Sequence, residues 1–104
     1  MASTKEYLEF VLEQLSGLDG IKYRAMMGEY IIYDKNKVIG GIYDNRFLIK
    51  PAAAAVKMMP EAPFEIPYPG AKGMLLVDNI DSREFLEQLI PAVAAELPAS
   101  KGKS

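Results

Sequence analysis

Apolar residues at helical spacing open the chain. They recur three or four positions apart, with acidic and amide residues elsewhere on the helical wheel; the apolar positions are Leu8, Val11, Leu12 and Leu15. Ser3 is a favoured N-cap residue, and Glu6 follows at the spacing of a capping box. Gly17 suits the left-handed conformation that ends many helices. The pattern therefore predicts a helix over about residues 4–16.

From Ile21 the hydrophobic period changes to two. Three alternating runs, at residues 29–33, 38–43 and 46–50, predict three strands of an antiparallel meander. A four-residue turn over 34–37, in which Asn36 takes a positive φ, and a two-residue turn at Asp44-Asn45 would connect them. Gly40-Gly41 inside the middle strand predicts a bulge or a close approach by another backbone.

The second half of the chain alternates between helix and strand signals. Pro51 favours the start of a short helix, over residues 52–59. Residues 60–70 hold five prolines and glycines, which predicts an extended loop, with a short strand near 64–66. The apolar run inside residues 72–77 predicts a further strand.

A second long helix is predicted near the end of the chain. Asp81 and Glu84 have the spacing of an N-cap and its capping box, and an apolar stripe follows. Pro91 lies inside that stripe, where it removes a backbone hydrogen bond, so a kink or break is expected there. Pro98 would end the helix.

Strand runs flanked by helices predict an α+β fold, a two-layer sandwich in which helices cover one face of an antiparallel sheet. With 104 residues, half of them hydrophobic, the chain is expected to form one domain with one core, over residues 1–98. Residues 99–104 are polar and basic, and a disordered tail is expected there.

The residue inventory excludes several kinds of site. The chain has no cysteine and no histidine, which removes disulfides, thiolate and imidazole chemistry, and the usual zinc and iron ligands. A serine nucleophile would have no histidine base. We therefore expect no catalytic residue, no cofactor and no metal. No apolar run reaches the roughly 18 residues that span a bilayer, and no signal peptide is recognisable, so the cytoplasm is the expected location.

The net charge of −2 is unevenly distributed. Residues 21–50 carry six basic and three acidic residues, whereas residues 61–97 carry two basic and seven acidic residues. An acidic protein is repelled by phosphate unless its cations cluster. This balance disfavours tight nucleic-acid binding, although the basic hairpin region, with Tyr30, Tyr33 and Tyr43 on neighbouring strands, resembles a stacking surface for bases.

Two short strings, residues 23–30 and residues 68–72, are the candidate functional segments. Each has a plain structural interpretation beside the functional one. Glu29 either pairs with Arg24 or a partner, or is an ordinary strand residue; the second is favoured. Met26-Met27 and Met58-Met59 suit core packing or an adaptable binding surface, and packing is favoured. Tyr68-Pro69-Gly70-Ala71-Lys72 lacks the following helix of a phosphate-binding loop and favours a structural turn.

These strings also carry a family resemblance. The residues that carry the resemblance are Tyr23-Arg24, Met26, Gly28-Glu29-Tyr30 and the strand pair after them, Leu48-Ile49-Lys50-Pro51, Tyr68-Pro69-Gly70-Ala71-Lys72, and the segments at 77–79, 83–84 and 96–98. Through these residues the chain resembles the N-terminal domain of the TfoX/Sxy family over roughly residues 5–98. The family often has an aromatic residue where Met27 stands. The resemblance implies a fold similar to secretion-chaperone-like α+β domains, and a relation to positive regulators of competence genes. We expect a stand-alone domain of this type, without the family's C-terminal domain.

The leading hypothesis is therefore a non-enzymatic interaction domain, in the role of a transcriptional co-regulator, monomeric or dimeric. A protein partner would bind through Arg24, Met27, Gly28, Glu29 and Tyr30 together with Tyr68, Gly70 and Lys72, whose loops would meet at one end of the sheet. Two alternatives stay open. One is direct nucleic-acid binding by the basic hairpin region, and the other is a small-ligand or enzymatic site that uses Glu29 and Lys72.

Overall fold

The computed structural model describes residues 3–97. These residues form three helices and six strands, in this order along the chain: α1 (Lys5–Gln14), β1 (Ile21–Met26), β2 (Glu29–Asp34), β3 (Lys37–Ile42), β4 (Phe47–Ile49), α2 (Ala53–Met58), β5 (Phe64–Glu65), β6 (Met74–Leu76) and α3 (Arg83–Ala95). The strands form one antiparallel sheet in the order β1-β2-β3-β4-β6-β5. The predicted two-layer α+β sandwich is confirmed. Pro98 and the tail predicted for 99–104 lie outside the described residues.

The core lies between the helices and one face of the sheet. Alternate strand residues point to it, as the period of two requires. Its fully buried members come from both layers: Val11, Leu15, Leu86, Leu89, Ile90 and Val93 from the helical layer, and Ile32, Ile39, Ile42, Phe47 and Ile49 from the sheet. The opposite side of the sheet carries no helix of the described chain, and we call it the open face. No helix within residues 3–97 is long and apolar enough to cross a membrane.

Three two-residue turns build the meander. Met27-Gly28, Lys35-Asn36 and Asp44-Asn45 all have positive φ at both positions, between 52° and 86°, which is the type I′ geometry that matches strand twist. The second turn is therefore tighter than the predicted four-residue turn, because Asp34 and Lys37 pair with each other. Sequence reasoning did not identify β1 as a separate strand, since no Asn-Gly or Asp-Gly signal precedes β2.

The paired glycines of β3 behave as predicted. The register between β2 and β3 shifts between Ile32 and Tyr33, which leaves Ile39 as the extra residue of a bulge. A Cβ at Gly40 would collide with the backbone of Leu48 and Ile49. A Cβ at Gly41 would lie 2.6 Å from the Tyr30 carbonyl oxygen. Only glycine therefore allows β3 to lie this close to its neighbours.

Both predicted N-caps were wrong by one residue. Thr4, rather than Ser3, caps α1 and accepts a hydrogen bond from the Tyr7 backbone N–H. Ser82, rather than Asp81, caps α3 and accepts from the Phe85 N–H. The capping group is a side-chain hydroxyl in both helices. Ser3 is therefore available for hydrogen bonds outside α1.

Two prolines also differ from expectation. Pro51 is not the first residue of α2, because Ala52 is the N-cap and the helix begins at Ala53. Pro91 does not break the second long helix, because α3 runs from Arg83 to Ala95 as one helix. A kink at Pro91 stays a prediction. Packing of Leu89, Ile90 and Val93 into the core outweighs the loss of one backbone hydrogen bond.

Candidate functional site

A groove of about 430 Å³ crosses the open face of the sheet. Strand residues and the loop before β6 line it, including Met26, Ile31, Tyr43, Lys50, Tyr68 and Lys72. Most of the other lining residues are apolar or glycine, and no carboxylate from residues 3–97 lines the groove. We call this site the open-face groove. Its form suits an apolar ligand or segment that carries negative charge.

The two predicted segments meet at this groove. Met26, from the first segment, and Tyr68 and Lys72, from the second, line it together. Arg24 lies opposite Ile31 in the sheet, so its side chain projects from the same face as the groove. The groove thus brings residues of both segments together over the sheet surface. That their loops meet at one end of the sheet stays a prediction.

Tyr43 and Tyr68 form one wall of the groove. Their ring centroids are 6.1 Å apart and their planes are tilted by 54°. The Tyr43 ring lies over Gly41, where a Cβ would come within 2.7 Å of it. Burial raises the pKa of the Tyr43 phenol, and the neighbouring Tyr68 and Glu29 raise that pKa further. Tyr43 is therefore a neutral, nearly buried wall, while Tyr68 is about half exposed.

The segment Tyr68-Pro69-Gly70-Ala71 is a structural turn, as favoured from the sequence. The Ala71 N–H donates to the Tyr68 carbonyl oxygen at 3.0 Å, and Gly70 has φ 89° with no atom near its missing side chain. Proline followed by glycine in this conformation is typical of a type II turn. Gly70 therefore serves the turn, which presents Tyr68 and Lys72 to the groove.

Glu29 does not belong to the groove. Its Oε1 accepts hydrogen bonds from the Ser3 N–H at 3.1 Å, the Ser3 hydroxyl at 2.6 Å and the Asp44 N–H at 3.2 Å. The Ser3 N–H is also 3.0 Å from the Gly28 carbonyl oxygen, and the Ser3 hydroxyl accepts from the Asn45 N–H. Glu29 and Gly28 thus hold Ser3, which precedes the N-cap of α1, and the Asn45 N–H adds a contact from a second turn. No ion pair joins Glu29 to Arg24 among the described residues, and Glu29 does not meet Lys72 in a pocket.

The three tyrosines of the hairpin region do not form one stacking surface. Tyr30 packs against the core and meets Tyr23 edge-on, with centroids 6.0 Å apart. Tyr33 projects from the other face, since side chains alternate along β2. Tyr43 is only 7% exposed. The predicted platform is therefore wrong.

The two methionine pairs have different environments. Met59 is buried and Met58 packs against the core, as predicted for gap-filling residues. Met26 and Met27 are instead 40% and 96% exposed. Met27 occupies a turn position with φ 54°, a conformation that disfavours most residues other than glycine, asparagine and aspartate. Met27 thus combines an exposed apolar side chain with a left-handed backbone conformation.

Four cations face the open side of the sheet. Lys50 and Lys72 line the groove, and Lys22 and Arg24 alternate along β1 opposite Tyr33 and Ile31. None of the four forms an ion pair within residues 3–97, where the ion pairs are Arg46–Glu65 and Arg83–Glu13. Sequence reasoning missed Lys50 and Tyr43 as lining residues. The alternation of side chains along β3 and β4 would have placed Tyr43 and Lys50 on the open face only if the bulge at Ile39 had been known.

Comparison with known proteins identifies a relative over nearly the whole chain. The uncharacterized 12.7 kDa protein in the trpE 5′ region of Spirochaeta aurantia is 34% identical over 102 residues, which are 97% of this chain and 89% of that protein. No family model matches the chain, and no solved structure gave a significant match. Identity at this level over nearly the whole of both chains means that the two share a fold and an origin. The chain belongs to the same family as this 12.7 kDa spirochaete protein.

Proposed function

We propose that this protein is a non-enzymatic interaction domain that binds a protein partner on the open face of its sheet. The observation that carries the proposal is the open-face groove, in which Met26, Tyr68 and Lys72 from two distant segments converge. Two of its lining residues, Met26 and Tyr68, are exposed apolar side chains, and the exposed Met27 follows directly after Met26. Aromatic and methionine side chains are enriched at protein-binding surfaces.

The resemblance to the TfoX/Sxy N-terminal domain supports an extension of this proposal. It favours a transcriptional co-regulator that acts in the cytoplasm through protein contacts, and a groove that accepts a segment of the transcription machinery. The relative from Spirochaeta aurantia adds no activity to this argument, because its printed name describes only its mass and genetic location.

Capture from lysate tests the partner and its site together. Tagged protein is incubated with nuclease-treated lysate of the source organism, and co-purifying proteins are identified by mass spectrometry. We expect a reproducible set of proteins that is lost with Arg24→Glu and with Lys72→Glu. The matched control is Lys57→Glu, because Lys57 is exposed on α2 and lies outside the groove.

Two outcomes would contradict the proposal. Equal capture by the wild-type protein and both open-face variants would place the partner elsewhere, provided that circular dichroism shows all three to be folded. Capture that reproducibly recovers no protein would contradict binding to a protein partner.

Nucleic acid is a second candidate, favoured by the four cations on the open face. Affinity would then fall steeply with salt, because phosphate contacts release counterions. Mobility shift with duplex and single-stranded DNA and RNA at low salt tests it. A shift that is lost in Lys22→Glu and Lys50→Glu variants would support nucleic-acid binding, whereas no shift would remove it.

A further inference from the structure

The strand β1 is an open edge of the sheet. It is six residues long, pairs along its whole length with β2 on one side, and is exposed from Lys22 to Met26. On its other side, every second residue presents an N–H and a C=O group that has no strand partner in the described part of the chain. The opposite edge, β5, has only two residues. Of the two edges, β1 is therefore the one that can template an added strand.

Structural devices that usually block an edge are missing from β1. The strand contains no proline, and its register with β2 is unbroken from Ile21 to Met26. Its protection lies in charge alone, since Lys22 and Arg24 project from the same face two residues apart. Both side chains are exposed, and their cross-strand neighbours Tyr33 and Ile31 carry no charge.

This charge pattern disfavours a second copy as the added strand. Two antiparallel copies of β1 related by a two-fold axis must pair residues that point to the same face. One such register places Lys22 opposite Arg24, and the next places Arg24 opposite Arg24. Each register sets like charges directly against each other, which destabilises the pair. A strand with acidic residues at alternate positions would be attracted by the same two cations.

We propose that β1 is extended by a strand of a partner protein in which acidic residues alternate with apolar ones. The acidic side chains would lie beside Lys22 and Arg24 on the open face. The apolar side chains between them would lie beside Tyr23 and Ala25 on the other face. Met26 ends the strand and also lines the open-face groove, so the same partner segment would continue into it. This inference rests on the proposed protein-binding function and specifies the partner's chemistry.

Designed peptides test the strand addition directly. One short, end-capped peptide alternates glutamate with valine, and its control alternates lysine with valine. Binding is measured by fluorescence anisotropy, and its location by amide chemical shifts and slowed amide exchange in β1. We expect the acidic peptide to bind with protection of amides between Ile21 and Met26, and the basic peptide to bind at least about tenfold more weakly, since two charge pairs change sign.

Charge reversal separates recognition from folding. The variant Lys22→Glu/Arg24→Glu should prefer the basic peptide, which a merely unfolded protein would not do. The matched control Lys5→Glu/Lys57→Glu changes the net charge equally at two exposed helical positions, and it should keep the preference of the wild-type protein.

Failure of this inference differs from failure of the protein-binding proposal. Shifts confined to the groove, around Tyr68, Lys72 and Met74, would overturn strand addition while leaving the groove as the partner site. No binding of the acidic peptide would overturn the inference, and capture from lysate would decide the broader proposal independently. Concentration-dependent dimerisation by sedimentation, with protection of β1 amides, would show that a second copy occupies the edge.

Discussion

At the scale of single residues, the exposed Met27 does not match the residue preference of its turn. It is 96% exposed and has φ 54° at the first central position of a type I′ turn. Asparagine followed by glycine is the favoured pair for such a turn, and Gly28 already occupies the second position. A residue that breaks a local rule without any stabilising contact is expected where selection acts on binding.

Replacement of Met27 should therefore separate stability from binding. We expect Met27→Asn to raise the free energy of unfolding by about 0.5–1 kcal/mol, because asparagine tolerates the left-handed conformation. Urea denaturation measures it. Met27→Ala is the matched control, since it removes the same apolar side chain but keeps the conformational strain. Both variants should weaken partner capture, and a Met27→Asn protein that is no more stable than Met27→Ala would contradict the strain argument.

At the scale of elements, the start of α1 is held by side chains from two turns that are distant in sequence. Ser3 bonds to Glu29 and Asn45, and the Thr4 N–H donates to the Asn45 Oδ1 at 2.9 Å. Sequence reasoning assigned Ser3 to helix capping because local spacing is all that a motif contains. The neighbouring turns bring Glu29 and Asn45 to Ser3, and that juxtaposition depends on the register of the whole meander.

Loss of the Glu29 carboxylate should loosen this anchor. We expect Glu29→Ala to lower the free energy of unfolding by about 2 kcal/mol, because it leaves the Ser3 hydroxyl and the Asp44 N–H without their acceptor. The Ser3 N–H keeps the Gly28 carbonyl oxygen. Urea denaturation measures the loss, and hydrogen exchange should quicken at the first turn of α1. Glu9→Ala, at an exposed position on α1, should change stability by less than about 0.5 kcal/mol. Similar effects at Glu29 and Glu9 would show that the network contributes little.

At the scale of the whole molecule, the sequence predicted the layers better than it predicted the site. Periodicity is a local property, so both long helices, the meander and the β5 and β6 segments were predicted near their observed positions. The site depends on which face of the sheet each side chain projects from and on the order of the strands. Which of Tyr30 and Tyr33 faces the core, and how β6 comes to lie between β4 and β5, follow from packing between residues far apart in the chain. That packing is what places Lys50 and Tyr43 in the lining of the groove.

Packing of the open face against Tyr43 leads to a prediction for the stability of the whole domain at high pH. Burial, with Tyr68 and Glu29 nearby, raises the pKa of Tyr43 in the folded protein above its unfolded value of about 10. As the pH rises, Tyr43 therefore loses its proton in the unfolded state at a lower pH than in the folded state. The stability that this group contributes is complete below pH 10 and is lost as the pH rises through the higher folded pKa. Burial also raises the pKa of Tyr7, offset in part by the Phe47 backbone, so part of the decline belongs to that residue.

Urea midpoints measured between pH 8 and 11 test this linkage. Unfolding free energy should decline above about pH 10 in the wild-type protein, and it should decline less in Tyr43→Phe, which keeps the ring over Gly41 but has no proton to lose. Tyr23→Phe removes a hydroxyl from an exposed ring on β1 and serves as the matched control. If Tyr43→Phe lost stability as steeply as the wild-type protein, the Tyr43 phenol would not be held neutral by the fold. The wall of the groove would then be open to water rather than packed against the sheet.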